Sequence, residues 1–357
     1  MNIGFFYGTR IHPPGTGGSV HGYQLARGLA GLGHTLMTWR YDYGGHPDTR
    51  HFRTRELPGF LRRVDVMYVR INWEMQAAYR WLCRLRLGRL PVVWEANGLP
   101  LELLYEGRTP KQVAGALARL RRMGRRVRAG IGVTSGIARF LREELDVRET
   151  VCIPNGSDPR LFYPPEDEAG SENDREARPL EVVWIGTTRW GWHALDEFIR
   201  AASILRDRGA NVRFSIYGDP DALPVSLPAN VRAAGRVPYG ELRGHINRAD
   251  VGVHLFRPFG EHMAEGSPLK LFDYMACGLA VVAQDLGDTG RLIRDREAGV
   301  LTTGEPEHLA DALESLEADR DRCCGLGLNG RRAVVDYYNW DRAARETDAL
   351  LRRVVEQ

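Results

Sequence analysis

The chain has 357 residues, 43% hydrophobic and 27% charged, with a formal net charge of +3. At ~100–200 residues per domain this length predicts two domains, and the ordinary composition excludes global disorder. The small charge, borne by scattered arginines, argues against nucleic-acid binding, and no stretch approaches the ~18 apolar residues of a membrane span.

The N-terminus, Met1-Asn2-Ile3-Gly4-Phe5-Phe6-Tyr7, has neither a basic region nor a long apolar one, which disfavours secretion. Five cysteines, Cys83, Cys152, Cys277, Cys323 and Cys324, show no C-x-x-C pair and no zinc spacing, and read as reduced cytoplasmic thiols. Asn2 to Tyr7 reads as a strand, Val20 to Leu32 as a helix closed by Gly33-His34, and Thr35 to Trp39 as the next strand. Strand-like runs recur at Asp65 to Val69, Pro91 to Trp94, Gly130 to Thr134 and Thr150 to Ile153, with helical segments between several of them. One of these helices carries Arg119, Arg121, Arg122, Arg125, Arg126 and Arg128 in close succession. A solvated face accounts for them, and peripheral contact with a membrane surface stays open beside it.

From Pro164 to Pro179 the chain turns acidic and proline-bounded, the composition of a linker. The alternation then restarts, with strands at Leu180 to Ile185, Val212 to Tyr217, Val251 to Phe256 and Leu279 to Ala283. Helices are expected at Ala194 to Arg206, Pro268 to Cys277, His308 to Leu316 and Trp340 to Val355. Two successive α/β domains with parallel sheets place a ligand at the carboxyl ends of their strands, in a shared cleft.

The most informative segment runs Glu265-Gly266-Ser267-Pro268-Leu269-Lys270-Leu271-Phe272-Asp273-Tyr274-Met275-Ala276-Cys277-Gly278. Ser267 can cap a helix and Pro268 fits its first turn, leaving free backbone N–H groups that attract phosphate. Glu265 precedes the helix and Asp273 lies inside it, so the two carboxylates can reach different parts of one elongated ligand. On these residues alone a capped amphipathic helix before a buried strand explains the pattern equally well.

This segment resembles the E-x7-E region of the retaining GT-B enzymes of glycosyltransferase family 4. The likeness extends to Ile153-Pro154-Asn155-Gly156-Ser157-Asp158-Pro159-Arg160-Leu161-Phe162-Tyr163-Pro164, an inter-domain signature, and to Tyr338-Asn339-Trp340 ahead of the last helix. It implies a GT-B fold: two Rossmann-like parallel-sheet domains facing a central cleft, with the C-terminal helix crossing back to the first. The corresponding division is 1–164 with 338–357 as acceptor domain, 165–179 as linker and 180–337 as donor domain. The resemblance implies Glu265 as the catalytic contact to the transferred sugar and Asp273, shorter than the family's glutamate, as the contact to the nucleotide ribose. Gly266, Ser267, Pro268, Leu269 and Lys270 complete the donor helix start. Gly17 and Gly18 match the family's N-terminal glycine loop. Arg189 stands for the arginine of the phosphate-binding pair, with Lys270 in place of the usual lysine. Asn97 occupies the position of a family histidine near the donor sugar, although Asn97-Gly98 also reads as a turn.

The implied activity is transfer of a hexosyl-type unit from a nucleoside diphosphate sugar to an acceptor hydroxyl of a glycan, lipid-linked or small molecule, with retention. No cofactor and no catalytic metal are expected, because the histidines show no metal spacing and Asp219-Pro220-Asp221 reads as a turn. A nucleotide-sugar epimerase of the same fold and a non-catalytic nucleotide-sugar or glycan-binding subunit are the alternatives. His254, in an apolar strand, reads as a satisfied core residue, and Trp73, Trp81 and Trp94 as packing. The expected location is cytoplasmic, with a peripheral place at the inner membrane face left open.

Overall fold

The strands that flank the predicted helices carry long apolar runs, such as Leu180-Glu181-Val182-Val183-Trp184-Ile185, the pattern of a parallel sheet buried on both faces. The computed structural model describes residues 1–7, 11–40, 42, 47–71, 90–100, 102–105, 107–165, 178–187, 191–219, 223, 226–257 and 266–357. Among these, the first sheet contains β1 (Asn2–Phe6), β2 (Thr35–Trp39), β3 (Thr49–Phe52), β4 (Val66–Arg70), β5 (Val92–Ala96), β6 (Ala129–Gly132) and β7 (Glu149–Cys152). The second contains β8 (Leu180–Ile185), β9 (Val212–Tyr217), β10 (Val231–Gly235), β11 (Val251–His254), β12 (Ala280–Gln284) and β13 (Gly299–Thr302). Strand orders are β3-β2-β1-β4-β5-β6-β7 and β10-β9-β8-β11-β12-β13. Every pairing within both sheets is parallel.

The first unit comprises Met1–Asn155, Trp340–Gln357 and a short segment ending at Ser267. The second begins at Gly156, resumes at Pro268 and ends at Asn339. The predicted linker, 165–179, lies mostly outside the described residues.

In the first unit the core gathers Phe6, Trp39, Phe60, Trp94, Leu120 and Ile137 around the sheet. The C-terminal helix, Trp340–Glu356, buries Trp340, Leu350, Leu351 and Val354. Burial of each such side chain contributes roughly 1.5–3 kcal/mol. It packs on the helix Gly17–Gly31, where a β-carbon at Gly28 would lie 2.6 Å from that of Ala344, so only glycine allows this approach. Polar ties fix its register: His34 Nε2 lies 2.7 Å from Asp348 Oδ1, and Arg342 donates to the Pro154 carbonyl at 2.8 Å. The arginine-rich helix, Pro110–Gly124, keeps Arg119, Arg121 and Arg122 exposed, and Arg121 and Arg125 pair with Asp146. No helix among the described residues is long and apolar enough to cross a membrane.

In the second unit Trp184, Phe198, Phe214, Val253 and Leu313 fill one side of the sheet, and Tyr274, Met275, Phe162 and Val334 the other. Strands β3, β10 and β13, which the sequence reading did not single out, are all sheet edges with much less buried patterns.

Candidate functional site

In an open parallel sheet, the chain leaves adjacent strands in opposite directions at one switch point, and the carboxyl ends there form a crevice. The two orders place these points between β1 and β4, and between β8 and β11. Both hold buried polar side chains.

At the first, Glu95 of β5 is 1% exposed and accepts a hydrogen bond from the Tyr68 hydroxyl of β4. His21, from the helix Gly17–Gly31, brings Nε2 to 3.4 Å from Glu95 Oε2. Arg70, at the end of β4, donates to the Tyr7 hydroxyl and lies 4.7 Å above its ring. Burial alone would raise the Glu95 carboxyl, but His21, Arg70 and the Tyr68 hydrogen bond bring it down to about 2. Glu95 Oε1 and His21 Nδ1 are enclosed with no partner among the described residues.

At the second, the helix Leu269–Ala276 begins beside the ends of β8 and β11. Its Tyr274 hydroxyl accepts the Ile185 N–H at 2.8 Å, which anchors the helix to the end of β8. Lys270, in the first turn, sets Nζ 4.8 Å from the Trp184 ring centroid, enclosed and with no hydrogen-bond partner among the described residues. Burial lowers its ammonium to about 7. A β-carbon at Gly186 would stand 3.0 Å from Lys270 Nζ and 2.8 Å from the Trp184 ring, so this glycine clears the space the lysine occupies. His193, ending the turn Gly191–His193, sets Nδ1 2.7 Å from the Thr187 carbonyl. His254, ending β11, is 7% exposed and its Nδ1 has no partner among the described residues.

The other predicted residues fall as follows. Gly17 and Gly18 form the first turn of their helix behind a Thr16–Ser19 capping box, rather than a loop preceding it. Pro268, not Ser267, is the N-cap of the helix Leu269–Ala276, with no side-chain cap. The Ser267 hydroxyl instead accepts the Asn155 N–H at 3.1 Å, and its carbonyl accepts Asn155 Nδ2 at 2.7 Å. Gly266 and Leu269 are half-buried. Asp273 is 5% exposed and accepts the Ser157 hydroxyl at 2.5 Å. Burial, with Asp158 adding to it against the Ser157 bond, raises its carboxyl to about 7. Asn97 is half-buried, with Nδ2 enclosed and unpartnered among the described residues. Glu265 and Arg189 lie outside the described residues, as do Trp73, Trp81 and Asp221; Trp94 is core, and Asp219 accepts the Thr187 hydroxyl at 3.1 Å. The sequence reading missed His21, Tyr68, Arg70 and His193. Only Arg70, a charged residue at the carboxyl end of an apolar strand, carries a signal of position; His21 in a helix, Tyr68 within β4 and His193 in a turn carry none.

Residues 179–319 match the model described as Glycosyl transferases group 1. D-inositol 3-phosphate glycosyltransferase of Rhodococcus opacus is 26% identical over 313 residues, 83% of this chain and 68% of that protein. Sucrose-phosphate synthase from Thermosynechococcus elongatus superposes with a TM-score of 0.72 at 17% identity, over 100% of this chain and 99% of the other. HepE from Anabaena, solved with UDP-glucose, superposes with a TM-score of 0.69 at 16% identity, over 99% of this chain and 100% of the other. The second sheet is therefore the frame of a Glycosyl transferases group 1 domain, and the chain that contains it is a glycosyltransferase of the GT-B fold.

Proposed function

We propose that this protein transfers a sugar from a nucleoside diphosphate sugar to the hydroxyl of a sugar- or polyol-type acceptor, with retention of configuration and without a catalytic metal. One observation carries this reading: within the matched domain, the second switch point holds the Lys270 ammonium enclosed, with no hydrogen-bond partner among the described residues, a group whose chemistry suits an anion. The UDP-glucose bound to HepE supports a nucleotide-sugar donor. The substrate named for the Rhodococcus relative supports a polyhydroxyl acceptor.

In this reading the donor diphosphate lies against Lys270, Arg189 and the uncapped start of the helix Leu269–Ala276. Those groups oppose the charge that grows on the leaving diphosphate, the kind of preorganised stabilisation that dominates many reactions. Glu265 holds the sugar, Asp273 takes the ribose side, Gly17 and Gly18 present backbone N–H groups, and Asn97 offers its free amide to a hydroxyl.

The test is nucleoside diphosphate release from a panel of UDP-, GDP-, ADP- and dTDP-sugars with inositol and hexose acceptors, followed by the anomeric configuration of the product. Glu265→Ala is expected to cut turnover by roughly 100-fold or more with an unchanged melting temperature. Near-normal transfer by that folded variant, or an inverted product, would refute the assignment.

A further inference from the structure

The second switch point concentrates three basic side chains from three elements. Lys270 comes from the donor helix, His254 from the end of β11 and His193 from the turn after β8. The rings of Trp184 and His193 stand 6.3 Å apart, and Lys270 Nζ is 4.8 Å from the Trp184 ring. Burial first, then Lys270, lowers the imidazoles of His193 and His254, and His193 adds to the effect on His254. Among the described residues no carboxylate acts on any of the three. Two acids of the neighbouring segments have basic or hydroxyl partners of their own: Asp219 accepts from Thr187 and faces Arg236 at 3.7 Å, and Glu197 accepts Arg257 Nε at 3.1 Å.

Geometry fixes what these groups need. The Thr187 carbonyl is an acceptor, so His193 Nδ1 carries the proton and the neutral ring is left with Nε2 as an acceptor. Ala194, next in the chain, holds φ at 49°, a left-handed backbone that a β-carbon disfavours, and thereby sets the direction of the turn. His254 Nδ1 and Lys270 Nζ are both enclosed without partners among the described residues. A phosphate oxygen can only accept, so it needs protons on these nitrogens.

We propose that Lys270, His193 and His254 form a proton-coupled anion site that holds the diphosphate of the donor and takes up protons as it fills. This rests on the donor reading above. It adds two histidines to the donor contacts and makes donor affinity depend on pH. Lysine suits the position because it can lose its proton when buried and empty, whereas arginine stays charged. Of 49 lysines and arginines in this chain, only Lys111 and Lys270 are lysines.

An opposite charge within about 4–6 Å raises a cation's pKa by about 1–3 units, so at pH 8 Lys270 alone should take up about 0.4–0.9 proton per nucleotide. The measurement is isothermal titration of the full-length protein with UDP, GDP and inorganic pyrophosphate, each in two buffers of different ionisation enthalpy. Proton uptake and a Kd that weakens with rising pH between pH 7.5 and 9, by up to about tenfold per pH unit, are expected. Lys270→Met should remove most of the uptake between pH 7.5 and 9 and flatten the pH dependence there. His193→Gln and His254→Gln, checked for folding by melting temperature, should each weaken UDP by about tenfold at pH 6.5. UDP binding without proton exchange, and unaffected by either histidine variant, would overturn the anion site and leave the donor reading standing. Pyrophosphate bound with proton uptake while no nucleotide or nucleotide sugar binds would do the reverse. No binding of any of them would remove both.

Discussion

Replacing Asp273 by asparagine should make the protein more stable at alkaline pH. The carboxyl is 5% exposed and its pKa is raised to about 7, chiefly by burial. A folded-state pKa above the unfolded one means that folding binds a proton. The contribution is whole below about pH 4 and is lost as pH rises through about 7. At 1.36 kcal/mol per pH unit, the interval from an ordinary aspartate to about 7 amounts to about 4 kcal/mol, a ceiling that local relaxation reduces to about 2. The asparagine amide would keep an oxygen for the Ser157 hydroxyl and remove the charge. Lys270, on the same helix, is lowered to about 7 and works in the opposite direction, costing stability as pH falls. Only the difference between variant and wild type isolates Asp273. In urea unfolding from pH 5 to 8.5, Asp273→Asn should match or slightly trail wild type at pH 5. It should exceed wild type by about 1–3 kcal/mol at pH 8.5. A difference that does not change with pH, or an asparagine variant less stable at pH 8.5, would refute a buried, protonated Asp273.

Other substitutions probe the remaining contacts. Ser157→Ala removes the hydroxyl that Asp273 accepts, and should cost about 1–3 kcal/mol in urea unfolding at pH 8, less at pH 5 where the carboxyl is neutral. Glu95→Gln breaks the buried group of His21, Arg70 and Tyr68 and should cost about 3–5 kcal/mol at pH 7. Because the Glu95 carboxyl is lowered to about 2, its stabilisation is present above the ordinary glutamate value and fades as pH falls toward 2, so the variant should flatten acid unfolding. Gly28→Ala puts a methyl 2.6 Å from Ala344 Cβ and should cost about 1–3 kcal/mol, with faster hydrogen exchange in Trp340–Glu356 than in the second unit. Gly186→Ala crowds Lys270 Nζ and the Trp184 ring; it should weaken UDP severalfold with little change in melting temperature, read by titration calorimetry.

The parallel-sheet alternation was readable because central strands are buried on both faces. Leu180–Ile185 and Val251–His254 are near-continuous apolar runs bounded by turns. Edge strands lack that signal: Thr49–Phe52 buries one residue and Val231–Gly235 none, and they show neither strict alternation nor an apolar run. The helix Arg320–Asp336 escaped for a related reason, since three glycines and many charges interrupt its apolar stripe. Lys270 and Asp273 were identifiable through local motif, as was the return of the final helix through Tyr338-Asn339-Trp340. His193 and His254 were not, because their importance comes from a strand and a turn about 60 residues apart in the chain meeting at one sheet edge, and an isolated histidine in an apolar run usually reads as core.

Comparison of the two switch points explains why charge assigns them different work. Each brings basic groups to the carboxyl ends of the strands where order reverses. In the first, Arg70 and His21 meet Glu95, with Tyr68 donating to the same carboxylate, so the cations are already answered within the protein. An incoming anion would have to displace or face that buried carboxylate, and unpairing it costs several kcal/mol. In the second, Lys270, His193 and His254 have no such acid among the described residues, and burial lowers all three. The empty site stays near neutral, which keeps it compatible with a packed interior, and its charge develops when an anion arrives. A neutral, hydroxyl-bearing ligand suits the compensated group, where Glu95 Oε1 still lacks a donor among the described residues. The acid on β5, and the lack of one at the end of β11 among the described residues, thus give the two switch points opposite preferences for an incoming anion.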